Sequence, residues 1–147
     1  MAYASVSDMV TRYGRTVLED LAQKKIERDD EGQPLQTVDQ IVEAALVDAS
    51  SAIDGYIDGR AKLPLQTIPS ALIRHACVLA RYALEEGAAT EKAEKEYETT
   101  LRYLEKVSTG DISLALGLEE ERPESGDVVV MENAGSVWAR NRSKGYI

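Results

Sequence analysis

The sequence predicts an all-α fold: a compact bundle of about four main helices, a short extended proline-containing connector and an extended C-terminal tail. Three observations predict it. Apolar residues recur at spacings of three and four through the long segments before Gly110. These segments open on Ser, Thr or Pro and close on Gly, the residues that start and stop helices. The one stretch of strong β propensity, Val128-Val129-Val130-Met131, has no second stretch to pair with.

Ser5 and Ser7 offer N-caps for a short helix through Asp8, Met9 and Val10 toward Tyr13, with Gly14 as its stop. A second short helix follows through Val17, Leu18 and Leu21. Lys24 to Pro34 is polar and ends in Asp29-Asp30-Glu31-Gly32, which predicts a mobile surface loop with nothing apolar to bury. Thr37 and Gln40 form a capping-box pattern, after which Val42, Leu46, Ala49, Ile53 and Tyr56 or Ile57 mark a helix ending near Gly59. Leu63-Pro64-Leu65 and Ile68-Pro69 then forbid helix continuation and favour an extended connector over residues 60–69.

Pro69 suits the first turn of the next helix, through Leu72, Ile73, Ala76, Cys77, Leu79, Ala80 and Ala83 to Gly87. Its apolar residues take up most of the circumference, so neighbours should cover it on several sides. Thr90 caps the last main helix, with Glu91 and Glu94 at its positive end and Gly110 as its stop. Its narrow stripe of Ala93, Tyr97, Leu101, Leu104 and Val107 predicts a peripheral helix. Ile112 to Leu116 forms a short apolar patch, and the proline-broken charged run from Glu119 to Glu124 reads as a linker. The predicted organisation is a helical domain over 1–116 and a linker with an extended tail over 117–147.

The 147 residues suit one hydrophobic core, with 44% apolar and 29% charged residues. A net charge of −9 disfavours free-standing nucleic-acid binding. The single Cys excludes an intrachain disulfide and fits synthesis in a reducing cytoplasm. The N-terminus lacks an export pattern, and no run approaches the ~18 apolar residues of a membrane span. No repeat of solenoid period occurs.

Few residues suggest chemistry. His75 is the only histidine, and Cys77, two positions on along a helix, points elsewhere; this disfavours both a zinc site and a Cys-His nucleophile. Cys77 reads as an inert core thiol. Asp54 and Asp58, four apart, could hold a cation or divide acid and base roles, but a solvated helix end is expected. Asp29-Asp30-Glu31-Gly32 lacks the alternating ligands of a calcium loop, and no phosphate-binding or dinucleotide fingerprint occurs. No enzyme, cofactor or metal is expected.

Several segments together resemble one family, the head–tail adaptor or head-completion proteins of Mu-like phages and prophages. Tyr3-Ala4-Ser5-Val6, Asp8-Met9 and Arg12-Tyr13-Gly14 resemble its opening. The stretch from Asp48 through Ala49-Ser50-Ser51-Ala52-Ile53-Asp54-Gly55-Tyr56 to Ile57, with Gly59-Arg60 and Leu63-Pro64-Leu65, resembles its central signature. Ala76-Cys77, Ala80-Arg81-Tyr82, Tyr97, Leu101-Arg102-Tyr103-Leu104, Val107 and Gly110 continue the likeness, and Trp138 with Lys144-Gly145-Tyr146 resembles its close. The departures lie at residues 24–34 and 119–127.

The resemblance implies a structural head–tail connector without catalytic residues. It implies a homo-oligomeric ring, a dodecamer matching the portal protein, in contact with neighbouring adaptor subunits and with a tail-side connector, stopper or tail terminator protein. It places the chain in the virion, at the junction of head and tail. Passing double-stranded DNA would be repelled by the acidic wall rather than bound.

The final stretch has a distinct character. Residues 111–136 hold seven acidic groups and one basic, whereas residues 137–147 hold none and three. Val128, Val129, Val130 and Met131 are expected to add a strand to the portal or a neighbouring subunit, with Val137, Trp138, Tyr146 and Ile147 as anchors. The alternative is that they fold back over their own helices. A rival reading for the whole chain is a helical DNA-binding regulatory protein, which needs a basic recognition face.

Overall fold

Side-chain caps at Ser5, Thr37 and Thr90 start three of the helices. The computed structural model describes residues 1–117, 120 and 121. Five helices follow in order: α1 (Val6–Tyr13), α2 (Arg15–Gln23), α3 (Val38–Ile57), α4 (Ser70–Glu85) and α5 (Glu91–Thr109). Among the described residues no strand forms, and the all-α expectation holds as three long helices preceded by two short ones.

Ser5 starts α1 through a reciprocal box in which its hydroxyl accepts from Asp8 N and the Asp8 carboxylate accepts from Ser5 N. Gly14, at φ 85° and ψ 149°, ends α1 and starts α2 in a region that side-chain-bearing residues avoid, so the two helices meet at a sharp corner. Thr37 and Gln40 form the predicted box at the head of α3. Pro69 lies one position earlier than expected: it is the N-cap, and α4 begins at Ser70.

Residues 24–34 depart from the expected featureless loop. Ile26 packs against the core, and Arg28 bridges Pro34 across a tight turn. The Asp29 carboxylate accepts from the amides of Glu31 and Gln33, closing that turn.

Both α3 and α4 touch all four other helices, while α5 packs on α3 and α4 only. The core runs along the buried face of α3 (Val42, Leu46, Ile53 and Ile57) into Leu72, Ala76 and Ala80 of α4, and closes on Leu104 and Val107 of α5. The N-terminal residues strap across α3. Tyr3 N donates to Ser50 Oγ at 2.9 Å, its hydroxyl donates to the Asp54 carboxylate, and Ser50 donates in turn to Leu46 O.

The connector between α3 and α4 forms no helix, as the prolines predict, but bends at residues 63–64 and 66–67, with Ala61 and Leu65 buried and a cis Leu63–Pro64 bond. Arg60 Nε donates to Ser108 O at the carbonyl end of α5. Gly110, at φ 85°, takes the left-handed region that favours glycine, and a Cβ there would have to displace the Arg60 guanidinium, whose Nη2 lies 2.7 Å from its place. The Glu120 carboxylate accepts from Gln66 N (2.7 Å) and Thr67 N (3.0 Å), and its carbonyl accepts from Lys62 N.

One cap departs from its prediction. Glu86, not Gly87, takes the first left-handed position after α4, at φ 34° and ψ 72°. A non-glycine residue there carries about 1 kcal/mol of strain, and its exposed ion pair with Lys25 offsets only part of that. Glu86→Gly is therefore expected to raise stability by about 0.5–1 kcal/mol, read as a higher urea midpoint at unchanged m.

Candidate interaction surfaces

The residues predicted to dock, Val128 to Met131, Val137, Trp138, Tyr146 and Ile147, lie outside the described residues.

His75 is held in the seam between α4 and α5. Its Nδ1 lies 3.0 Å from Thr100 Oγ1, and its ring stacks on Tyr103 with centroids 4.2 Å apart. Burial, and secondarily the charge of Arg74, push its pKa down to about 4, so it is neutral at physiological pH. Cys77, two residues on, is buried, and burial pushes its thiol up to about 11; it stays protonated and unreactive. Among the described residues no cluster of His, Cys, Asp and Glu could hold a metal ion.

Asp54 and Asp58 do not both point into water as expected. Asp54 is half-buried under the Tyr3 hydroxyl, whose own pKa is raised first by burial and then by that hydrogen bond. The pair is thus split between a structural strap and an exposed helix end.

The surface that sequence reading missed is basic. Two adjoining grooves, of about 490 and 430 Å³, run along α4 and α5 and reach α1; both are lined by Arg74, Val78, Lys92 and Glu96. Arg12, Arg81 and Lys95 extend the positive rim, with Val17 39% exposed at one end. Local carboxylates hold part of this charge: Lys95 pairs with Glu91, Lys92 reaches Glu96 at 4.0 Å, and Arg81 pairs with Glu85 while lying over the Tyr13 ring. Arg74 makes no ion pair among the described residues.

The outer face of α3 has the opposite sign. This helix contains Asp39, Glu43, Asp48 and Asp54 and no Lys or Arg. Asp39 pairs with Arg15 and Asp54 is tied to Tyr3, whereas Glu43 and Asp48 make no ion pair among the described residues. They flank an exposed row of Ala44, Val47, Ser51 and Gly55, with Val47 43% exposed. A Cβ added at Gly55 would meet nothing within 4 Å, so no contact among the described residues requires a glycine there.

Comparison with known proteins gives the kinship. The sequence profile of the family described as Bacteriophage Mu, Gp36 matches residues 3–132. The chain is 47% identical over 145 residues to the Mu-like prophage FluMu protein gp36 of Haemophilus influenzae, covering 99% of this chain and 98% of that protein. It is 39% identical over 150 residues to gene product J of Escherichia phage Mu, covering the whole of both.

Proposed function

The chain belongs to the bacteriophage Mu Gp36 family, and from that premise we propose that it is the head–tail connector of a tailed phage, a structural adaptor without catalysis. In this reading, copies form a ring on the portal, join the DNA-filled head to a tail-side stopper or terminator, and leave an acidic channel that DNA traverses without binding. The chain is made in the host cytoplasm and works in the virion.

One observation carries the reading. The segment that resembles the connector signature, residues 48–57, divides its side chains between two tasks. Ala49, Ser50, Ile53 and Ile57 are buried in the core, whereas Asp48, Ser51, Ala52 and Gly55 are exposed on the outer side of the helix. In the connector reading this second set is the assembly surface.

Phage deprived of this chain are expected to accumulate DNA-filled heads and free tails, counted by electron microscopy, with joined particles restored when the full chain is supplied. Joined particles forming without it would overturn the proposal. A chain ending at Asp127 is expected to stay folded and fail to restore joining, since the docking residues follow that point; restoration by it would confine docking to the helical body.

A further inference from the structure

We propose that the basic groove of α1, α4 and α5 is the seat for the outer face of α3 from a second copy of this chain. The proposal deepens the connector reading, on which it rests for closure of the ring, by naming the two surfaces that meet.

The occupant follows from complementarity within one molecule. Arg74 and Glu43 with Asp48 are exposed charges of opposite sign that make no ion pair among the described residues. Each costs little in water, but two such patches brought together steer association and fix its register. Shape agrees with charge. The row of Ala44, Ser51 and Gly55 is low, so another backbone or helix pair can approach α3 closely, and Val47 stands out from it as an apolar knob. The groove offers the exposed edge of Val17 at one end, with the largely buried Val78 at its floor between the cations. Glycine near the end of α3 lowers helix stability relative to alanine, with no return among the described residues. Close approach by a neighbour supplies a reason for it.

The surfaces are two different patches, so the contact is heterologous: each copy gives its α3 face to one neighbour and its groove to the other. Such a contact produces either a closed ring or an open filament. A duplex DNA backbone could also seek a basic groove. The chain's net charge of −9 repels a duplex and a second copy alike at long range, but only the copy also brings an apolar knob, Val47, and a low row of small residues to the contact.

A charge exchange in the full chain tests the pairing. One variant carries Glu43→Lys and Asp48→Lys, the other Arg74→Glu and Lys92→Glu; all four sites are exposed, and far-UV circular dichroism should show unchanged helix content in both. By sedimentation velocity at low salt, the unaltered chain is expected to self-associate as its concentration rises, and to do so less in high salt. Each variant alone should associate at least about tenfold more weakly, because like charges now face each other. An equal mixture should regain association, since in alternation both kinds of contact are again complementary.

An unaltered chain that stays monomeric to about 1 mM, a variant that associates normally alone, or a mixture that gains nothing overturns the pairing. So does a groove variant that loses duplex-DNA binding while self-association persists. Virions joined normally by either variant alone would sink the pairing and leave the connector role intact. Virions joined with no copy of the chain would sink the role and leave the solution result to stand by itself.

Discussion

Ile53→Ala is expected to lower the unfolding free energy by about 2–5 kcal/mol, the largest effect on stability anticipated for a single side chain in this protein. Ile53 is fully buried on α3, one of the two helices that touch all the others. The surroundings cannot readily collapse into the space left behind. On either side of Ile53, Ser50 and Asp54 are fixed by hydrogen bonds to Tyr3, so the N-terminal strap and the helix keep their positions around the cavity. Alanine's better helix propensity returns only a few tenths of a kcal/mol. Against a total stability of about 5–15 kcal/mol, the loss would deplete the folded protein in the cell. Urea unfolding followed by circular dichroism measures it, with Val47→Ala as the control. That site is 43% exposed and should change stability by no more than about 0.5 kcal/mol in isolated subunits. A loss below about 1 kcal/mol at Ile53 would show that the inner face of α3 does not hold the core together.

What the sequence made legible was local. Caps at Ser5, Thr37 and Thr90 act over three residues, and the stops at Gly14 and Gly110 act within one turn, so composition and spacing alone place them. The three-and-four spacing of α3 and α5 likewise reports which side of each helix is buried. What stayed hidden was long-range. Tyr3 meets Ser50 and Asp54 across 47 and 51 positions, and Glu120 reaches Gln66 and Thr67 across 54 and 53. No periodicity marks such pairs. Asp54 therefore read as a solvated end and the chain near Glu120 as free linker. The basic groove was hidden for the same reason. Arg12, Arg74 and Lys92 sit on three different helices of an acidic chain, and only packing gathers them. Ile26 was passed over because one apolar residue in a polar run has no periodic partner to reveal it.

The stability of this protein should also depend on pH through His75. The imidazole's pKa stands at about 4 in the folded chain against 6.5 for the free side chain, because burial first, and the Arg74 guanidinium second, penalise the charged form. Above pH 6.5 the ring is neutral in both states, and its contribution is fully present. As pH falls from 6.5 toward 4, the unfolded chain takes up a proton that the folded chain refuses, so stability drops; below about 4 both states are protonated and the loss is complete. The difference of 2.5 pH units sets a ceiling of about 3.4 kcal/mol, and partial solvent access beside the groove reduces the expected loss to about 1–2 kcal/mol. Carboxylates titrate in the lower part of the same range, so the His75 share must be isolated by difference. His75→Asn keeps a polar atom near the position of Nδ1, for Thr100, and removes the titration. Urea midpoints of the two proteins should therefore diverge most at pH 7.5, where the native ring keeps its stack on Tyr103, and converge as the pH approaches 4. Parallel profiles would mean that the ring is protonated as easily in the fold as in water. In that case the seam between α4 and α5 would be wet, and the lowered pKa attributed to the burial of His75 would be wrong.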